Sequence, residues 1–124
     1  MFRRGAKVQG RPLLRLTTTG ARTGKTRRTI LGWFNDDADP NSWLVVASAA
    51  GAARHPAWAY NLSRNPESAL VDLGDGPVTV DVGLLGGHER ESVWRRIVAE
   101  SPGYGRYEGR TDREIPIFRL TRSS

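Results

Sequence analysis

The 124-residue chain contains no cysteine. That excludes disulfide scaffolds, cysteine-ligated zinc, iron–sulfur clusters and thiol catalysis, and it suits a reducing compartment. Histidine is scarce too. His55 and His88 are the only two, and neither falls in a His-x-x-His or Glu-x-x-His spacing, so no metal site is expected. Long apolar runs are missing: stretches such as Leu44–Ala47 fall far short of the roughly 20 residues of a membrane span. The first residues lack the apolar segment of a signal peptide. A cytoplasmic protein is therefore expected. No internal repeat or long linker interrupts the chain, and its length suits one domain.

Acidic residues are absent from the first 35 positions. That stretch carries nine basic side chains, whereas the other 89 residues carry 10 basic and 13 acidic ones. The whole excess of the net charge of +6 therefore sits in the first quarter. Such asymmetry points to an anionic partner docking at one place. Lysine is rare: 17 of the 19 basic residues are arginine, which suits bidentate phosphate and carboxylate binding. Aromatics are not interleaved with these cations, so a nucleic-acid stacking platform is disfavoured. The basic arm at residues 1–10 would suit contact with a membrane surface.

Six strands are predicted, at 13–19, 28–34, 42–48, 68–73, 78–83 and 115–121. The run SWLVVAS at 42–48 is nearly all apolar and reads as central. Pro56 opens a helix that Asn65-Pro66 ends. A second helix covers 88–100, with Val93, Trp94, Ile97 and Val98 on one stripe. Pro102 to Arg110 reads as a short turn or helix. The result is an α+β fold: a mainly antiparallel six-stranded barrel flanked by two to three helices, with a loose arm at 1–10 before the domain at 11–124.

The loop Gly20–Arg27 contains Gly24-Lys25-Thr26, a fragment of a nucleotide P-loop. Only three residues separate its glycines where four are needed, and residues 28–34 have a strand pattern rather than a helical one, so the P-loop reading fails. There remains a glycine turn carrying Arg22, Lys25, Arg27 and Arg28. Its backbone N–H groups can form an anion nest. A solvated basic hairpin is the alternative. The segment Ser48–Leu62 offers small residues for close approach to a flat ligand, with Trp58 and Tyr60 as a wall; core packing of Trp58 is the competing reading. Tyr104 and Tyr107 would share a face, either as an aromatic lid or as ordinary packing. Asp112 and Arg113 would form an ion pair tying that segment down.

Three segments, LTTTGARTGKTR at 16–27, ASAAGAARHPAWAYNL at 47–62 and PGYGRYEGRTDREIP at 102–116, together resemble the deazaflavin-dependent nitroreductase family of actinobacteria. The resemblance implies a split β-barrel like that of the flavin-binding pyridoxamine-phosphate oxidases. It implies coenzyme F420, a hydride carrier with a phosphate and an acidic oligoglutamate tail, and an electron-poor organic acceptor such as a quinone, enone or nitro compound. FMN binding, or a non-catalytic ligand carrier in the same barrel, is the alternative. The family likeness places phosphate and tail on Arg22, Lys25, Arg27 and Arg28, with Thr29 beside them. It places the deazaflavin ring along Ala47, Ser48, Ala49 and Gly51, and Trp58 and Asn61 on the cofactor-side helix. Ser48, Tyr104 and Tyr107 would position substrate or relay a proton. Barrels of this kind often dimerise. The chain departs from the family pattern at Ala21, at Ala49-Ala50-Gly51, at Thr29-Ile30-Leu31 and at Ser101, which bears on the choice of acceptor.

Overall fold

The computed structural model describes residues 7–8, 11–48, 55–108 and 114–123, excepting the side chains of residues 7, 8, 107 and 108. The strands are β1 (Lys7–Val8), β2 (Arg11–Thr19), β3 (Thr26–Gly32), β4 (Phe34–Asn35), β5 (Ser42–Val46), β6 (Leu70–Asp72), β7 (Pro77–Leu84) and β8 (Ile117–Arg122). The helices are α1 (Ala57–Arg64), α2 (Gly87–Glu100) and α3 (Gly103–Glu108), with one 3-10 turn at Pro66–Ser68. Pro56 caps α1 from just outside rather than opening it.

All strand pairs are antiparallel, in the order β1-β2-β6-β7-β8-β5-β4, with β3 also on β2. Only Trp33 separates β3 from β4. One near-continuous segment, 26–35, thus pairs with β2 through β3 and with β5 through β4, and so links the two sides of the sheet. This is how a barrel removes its exposed edges.

Eight strands stand where six are predicted, for two reasons. The strand expected at 28–34 breaks at Trp33, whose N–H donates to the Pro12 carbonyl at 3.1 Å as the last bond to β2, before Phe34 changes partner to Leu44 of β5. The arm expected to be loose pairs through Lys7 with Pro12 and Val8 with Arg11. The rest of that arm, the Asp112–Arg113 pair, Ala49 and Gly51 lie outside the described residues.

Period-two patterning builds the interior. On β2, Leu14, Leu16 and Thr18 are buried and their neighbours are not. Leu14 and Leu16 join Trp43, Val45, Val71, Val80, Phe118 and Leu120 in the barrel core. Leu44, on the opposite face of β5, joins Phe34, Trp94, Ile97, Ile115 and Ile117 in a second core beneath α2. Beyond Ser42, strand β5 is apolar because both its faces are covered. Helix α1 sends Ala59 and Leu62 into the barrel core, which places this helix over the end of β2.

Candidate functional site

A cleft of about 330 Å³ opens between α1, the end of β2, the Gly20 loop and the start of β3. Thr18, Gly20, Ala21, Arg22, Thr23, Arg27, Arg28, Thr29, Ala57, Trp58 and Asn61 line it. No acidic side chain is among them. Three guanidinium groups, all on exposed residues, flank one concave surface.

The loop is held from within. Gly20 N–H donates to the Lys25 carbonyl at 2.7 Å, and Gly24 N–H to the Gly20 carbonyl at 3.0 Å. Lys25 N–H donates to Thr23 Oγ1 at 3.3 Å. Gly24 has φ +71°, a conformation that L side chains adopt only with strain. At Gly20 a Cβ would lie 2.9 Å from Thr23 Oγ1 and 3.3 Å from the Lys25 carbonyl oxygen, so any side chain there crowds the turn.

The loop is also held from α1. Asn61 is buried; its Oδ1 accepts from Ala21 N–H at 2.9 Å and its Nδ2 donates to Thr18 Oγ1 at 3.2 Å. Asn65 Nδ2 donates to the Thr19 carbonyl at 3.3 Å. Helix α1 and the basic loop are therefore tied together by side-chain hydrogen bonds. Trp58 serves both roles anticipated for it. It packs on the barrel core, its ring edge-on to Phe118 at 5.9 Å, and it forms part of the cleft wall.

Of the residues expected at the site, the structure brings Arg22, Arg27, Arg28, Thr29, Trp58 and Asn61 together. It does not bring the others to this cleft. Lys25 is exposed beyond the lining, and its backbone closes the loop. Ala47 is fully buried in the barrel core, with its N–H donating to the Pro116 carbonyl at 2.9 Å. Ser48 is half-buried just past β5, outside the lining. Tyr104 packs edge-on against Phe34 at 5.7 Å and Trp94 at 6.5 Å, beside the second core. Tyr107 lies on α3, and its side chain is outside the described residues. Tyr60, read as a wall residue, is instead 48% exposed on another face of α1, edge-on to His55.

Sequence reasoning missed Thr18. The available signal was its place in the alternation: it is the polar end of the buried row that Leu14 and Leu16 begin.

A polar network ties the turn between β4 and β5 to β8. Asp36 accepts from Arg119, from Ser42 Oγ at 2.6 Å and from Ala38 N–H at 3.0 Å. Burial pushes the Asp36 carboxyl up, but these donors outweigh it and hold it below the usual carboxylate range. The Gly74 N–H, at 2.6 Å, lowers Asp72 more than any other group; burial opposes it, and Gly76 and Arg15 reinforce it. No group of three or more His, Asp or Glu residues that could hold a metal occurs among the described residues.

The comparisons with known proteins agree with this architecture. The family model of the F420H(2)-dependent quinone reductases matches residues 2–122. An F420H(2)-dependent quinone reductase of Mycobacterium tuberculosis is 36% identical over 124 positions, covering 95% of this chain and 79% of the relative. A solved F420-H2 dependent reductase, FDR-A, is 36% identical with a TM-score of 0.73, covering 94% of this chain and 99% of that one. A structure described as a domain-swapped dimer is 35% identical with a TM-score of 0.74, covering 93% of this chain and 84% of that one. With nearly its whole length matched, the chain belongs to the F420H(2)-dependent quinone reductase family.

Proposed function

We propose that this protein is an F420H2-dependent oxidoreductase that passes hydride to a quinone or a comparable electron-poor acceptor. The observation that carries the site assignment is the cleft beside α1. It joins three arginines, no acid, and a backbone loop locked by Asn61. Anionic oxygens are what such a surface attracts.

The residues present fit the cofactor's anionic half. A cleft of about 330 Å³ is at the small end for ligand sites, so it takes part of a molecule this size and leaves the rest on the adjoining surface. In this reading Arg22, Arg27 and Arg28 hold the phosphate and acidic tail, and Trp58 supplies an apolar wall. Lys25 adds long-range attraction from the loop tip. Ser48, at the exit of β5, is assigned to the ring in this reading, and the family likeness assigns Ala49 and Gly51 to it as well. Bound F420H2 would supply a hydride; the protein's part is to fix position and exclude water. Tyr104 and Tyr107 sit on α3 and border the acceptor in this assignment.

Arg27→Glu combined with Arg28→Glu tests the assignment. F420 affinity should fall at least tenfold, with the melting temperature little changed, because both side chains are exposed. Unchanged affinity would remove the cofactor from this cleft.

The relative that forms a domain-swapped dimer supports a homodimer here, which sedimentation of the purified protein would test. Contact of the basic arm with an anionic membrane, where lipid-soluble quinones reside, belongs to the same proposal. Co-sedimentation with phosphatidylglycerol vesicles would test it. No helix of the described residues is long and apolar enough to cross a membrane. A cytoplasmic location completes the reading.

A further inference from the structure

Thr18 is 3% exposed, yet it lines the cleft. Its Oγ1 accepts a hydrogen bond from Asn61 Nδ2. The amide orientation is fixed from its other end, because Asn61 Oδ1 must face the Ala21 N–H. A hydroxyl that accepts from an amide keeps its own hydrogen to give. Among the described residues nothing accepts that hydrogen. Buried hydroxyls seldom leave a donor unused without a reason.

We propose that Thr18 is a ligand-contacting donor, aimed by Asn61 at an anionic oxygen of the molecule in the cleft. The chain Ala21 N–H to Asn61 to Thr18 is then a fixed relay of polarity. Asn61 is a positioning residue, spent on the protein at both ends of its amide. Thr18 and the backbone around Ala21 form the inner part of the site. The exposed arginines draw the anion in from outside, and the buried hydroxyl sets where it stops. This inference rests on the proposed function and adds a specificity residue to it. The chemistry recognised is a phosphate or carboxylate oxygen, and F420 offers both.

The test is fluorescence titration with three probes: F420, the deazaflavin bearing the phosphate but no glutamate tail, and the deazaflavin riboside with neither. Thr18→Val keeps the shape and removes the hydroxyl. It should weaken F420 about tenfold to a hundredfold, the range of a hydrogen bond to a charged group. Thr18→Ser should restore affinity to within about threefold. Binding of the riboside should be the same in wild type and Thr18→Val. If the phosphate-only probe loses as much as F420, the contact is to phosphate; if it loses nothing, the contact is to a tail carboxylate. Either pattern supports the inference. Should Thr18→Val fail to fold, Thr18→Ala reads the same loss. Wild-type F420 affinity in these variants, or an equal loss for the riboside, overturns the role of Thr18 alone. Failure of the wild type to bind F420 overturns the proposed function and this inference with it.

Discussion

Asn61 and Arg90 show how single side chains tie sequence-distant segments together. Arg90 is 3% exposed within α2. Its Nη2 donates to the Ile115 carbonyl at 2.6 Å, its guanidinium lies over Trp94, and its Nε is 3.2 Å from Glu114. The Glu114 contact is an ion pair without hydrogen-bond alignment, since Arg90 Nε has no hydrogen-bond partner. Arg90→Ala leaves a buried carbonyl unpaired and should cost about 1–3 kcal/mol in chemical denaturation. Asp36 ties stability to pH. Its folded value is depressed, so its contribution is present above about pH 4 and lost as pH falls through the folded value. Asp36→Asn should lower neutral-pH stability by about 1–3 kcal/mol and flatten the acid limb of the stability curve. An unchanged acid limb would contradict that role for Asp36. Neither residue was legible as structural. A lone arginine on an apolar stripe reads as solvated, and an aspartate in the run NDDADPN reads as turn chemistry. Their partners, Ile115 and Arg119, are distant in sequence.

At the scale of elements, the local patterns carried most of the fold. The Leu14–Leu16–Thr18 alternation, the nearly all-apolar β5 and the stripe of α2 each encode their own burial. The bend at Trp33 had no such signal. The run RTILGWF favours an extended chain throughout, and only pairing with β2 on one side and β5 on the other splits it. The basic loop was legible in its residues but not in its anchoring, because Asn61 lies 40 positions from Ala21. Gly24→Val tests that element. A β-branched residue at φ +71° should cost about 1–3 kcal/mol and weaken F420 binding, since the arginines lose their frame. Full affinity in a destabilised Gly24→Val protein would show that loop geometry is irrelevant to the site.

Over the whole molecule, charge and shape converge. The excess of positive charge belongs to the first 35 residues, and the fold sets Arg22, Arg27 and Arg28 from that stretch around one cleft. Part of the expected site was not gathered there. Ala47 and Tyr104 belong to the two cores, where a small side chain and an aromatic ring fill space. Position along a strand could not tell a pocket-facing residue from a core-facing one. Attraction between exposed cations and an anionic ligand is screened within roughly 8–10 Å at ordinary ionic strength, so binding through this cleft must depend on salt.

The most direct measurement is fluorescence titration of the purified protein with oxidised F420 at two salt concentrations, with FMN in parallel. Selective binding of F420 that weakens as salt rises is the predicted result. Binding of FMN alone, or F420 binding indifferent to salt, would contradict a cofactor held by the arginine-lined cleft.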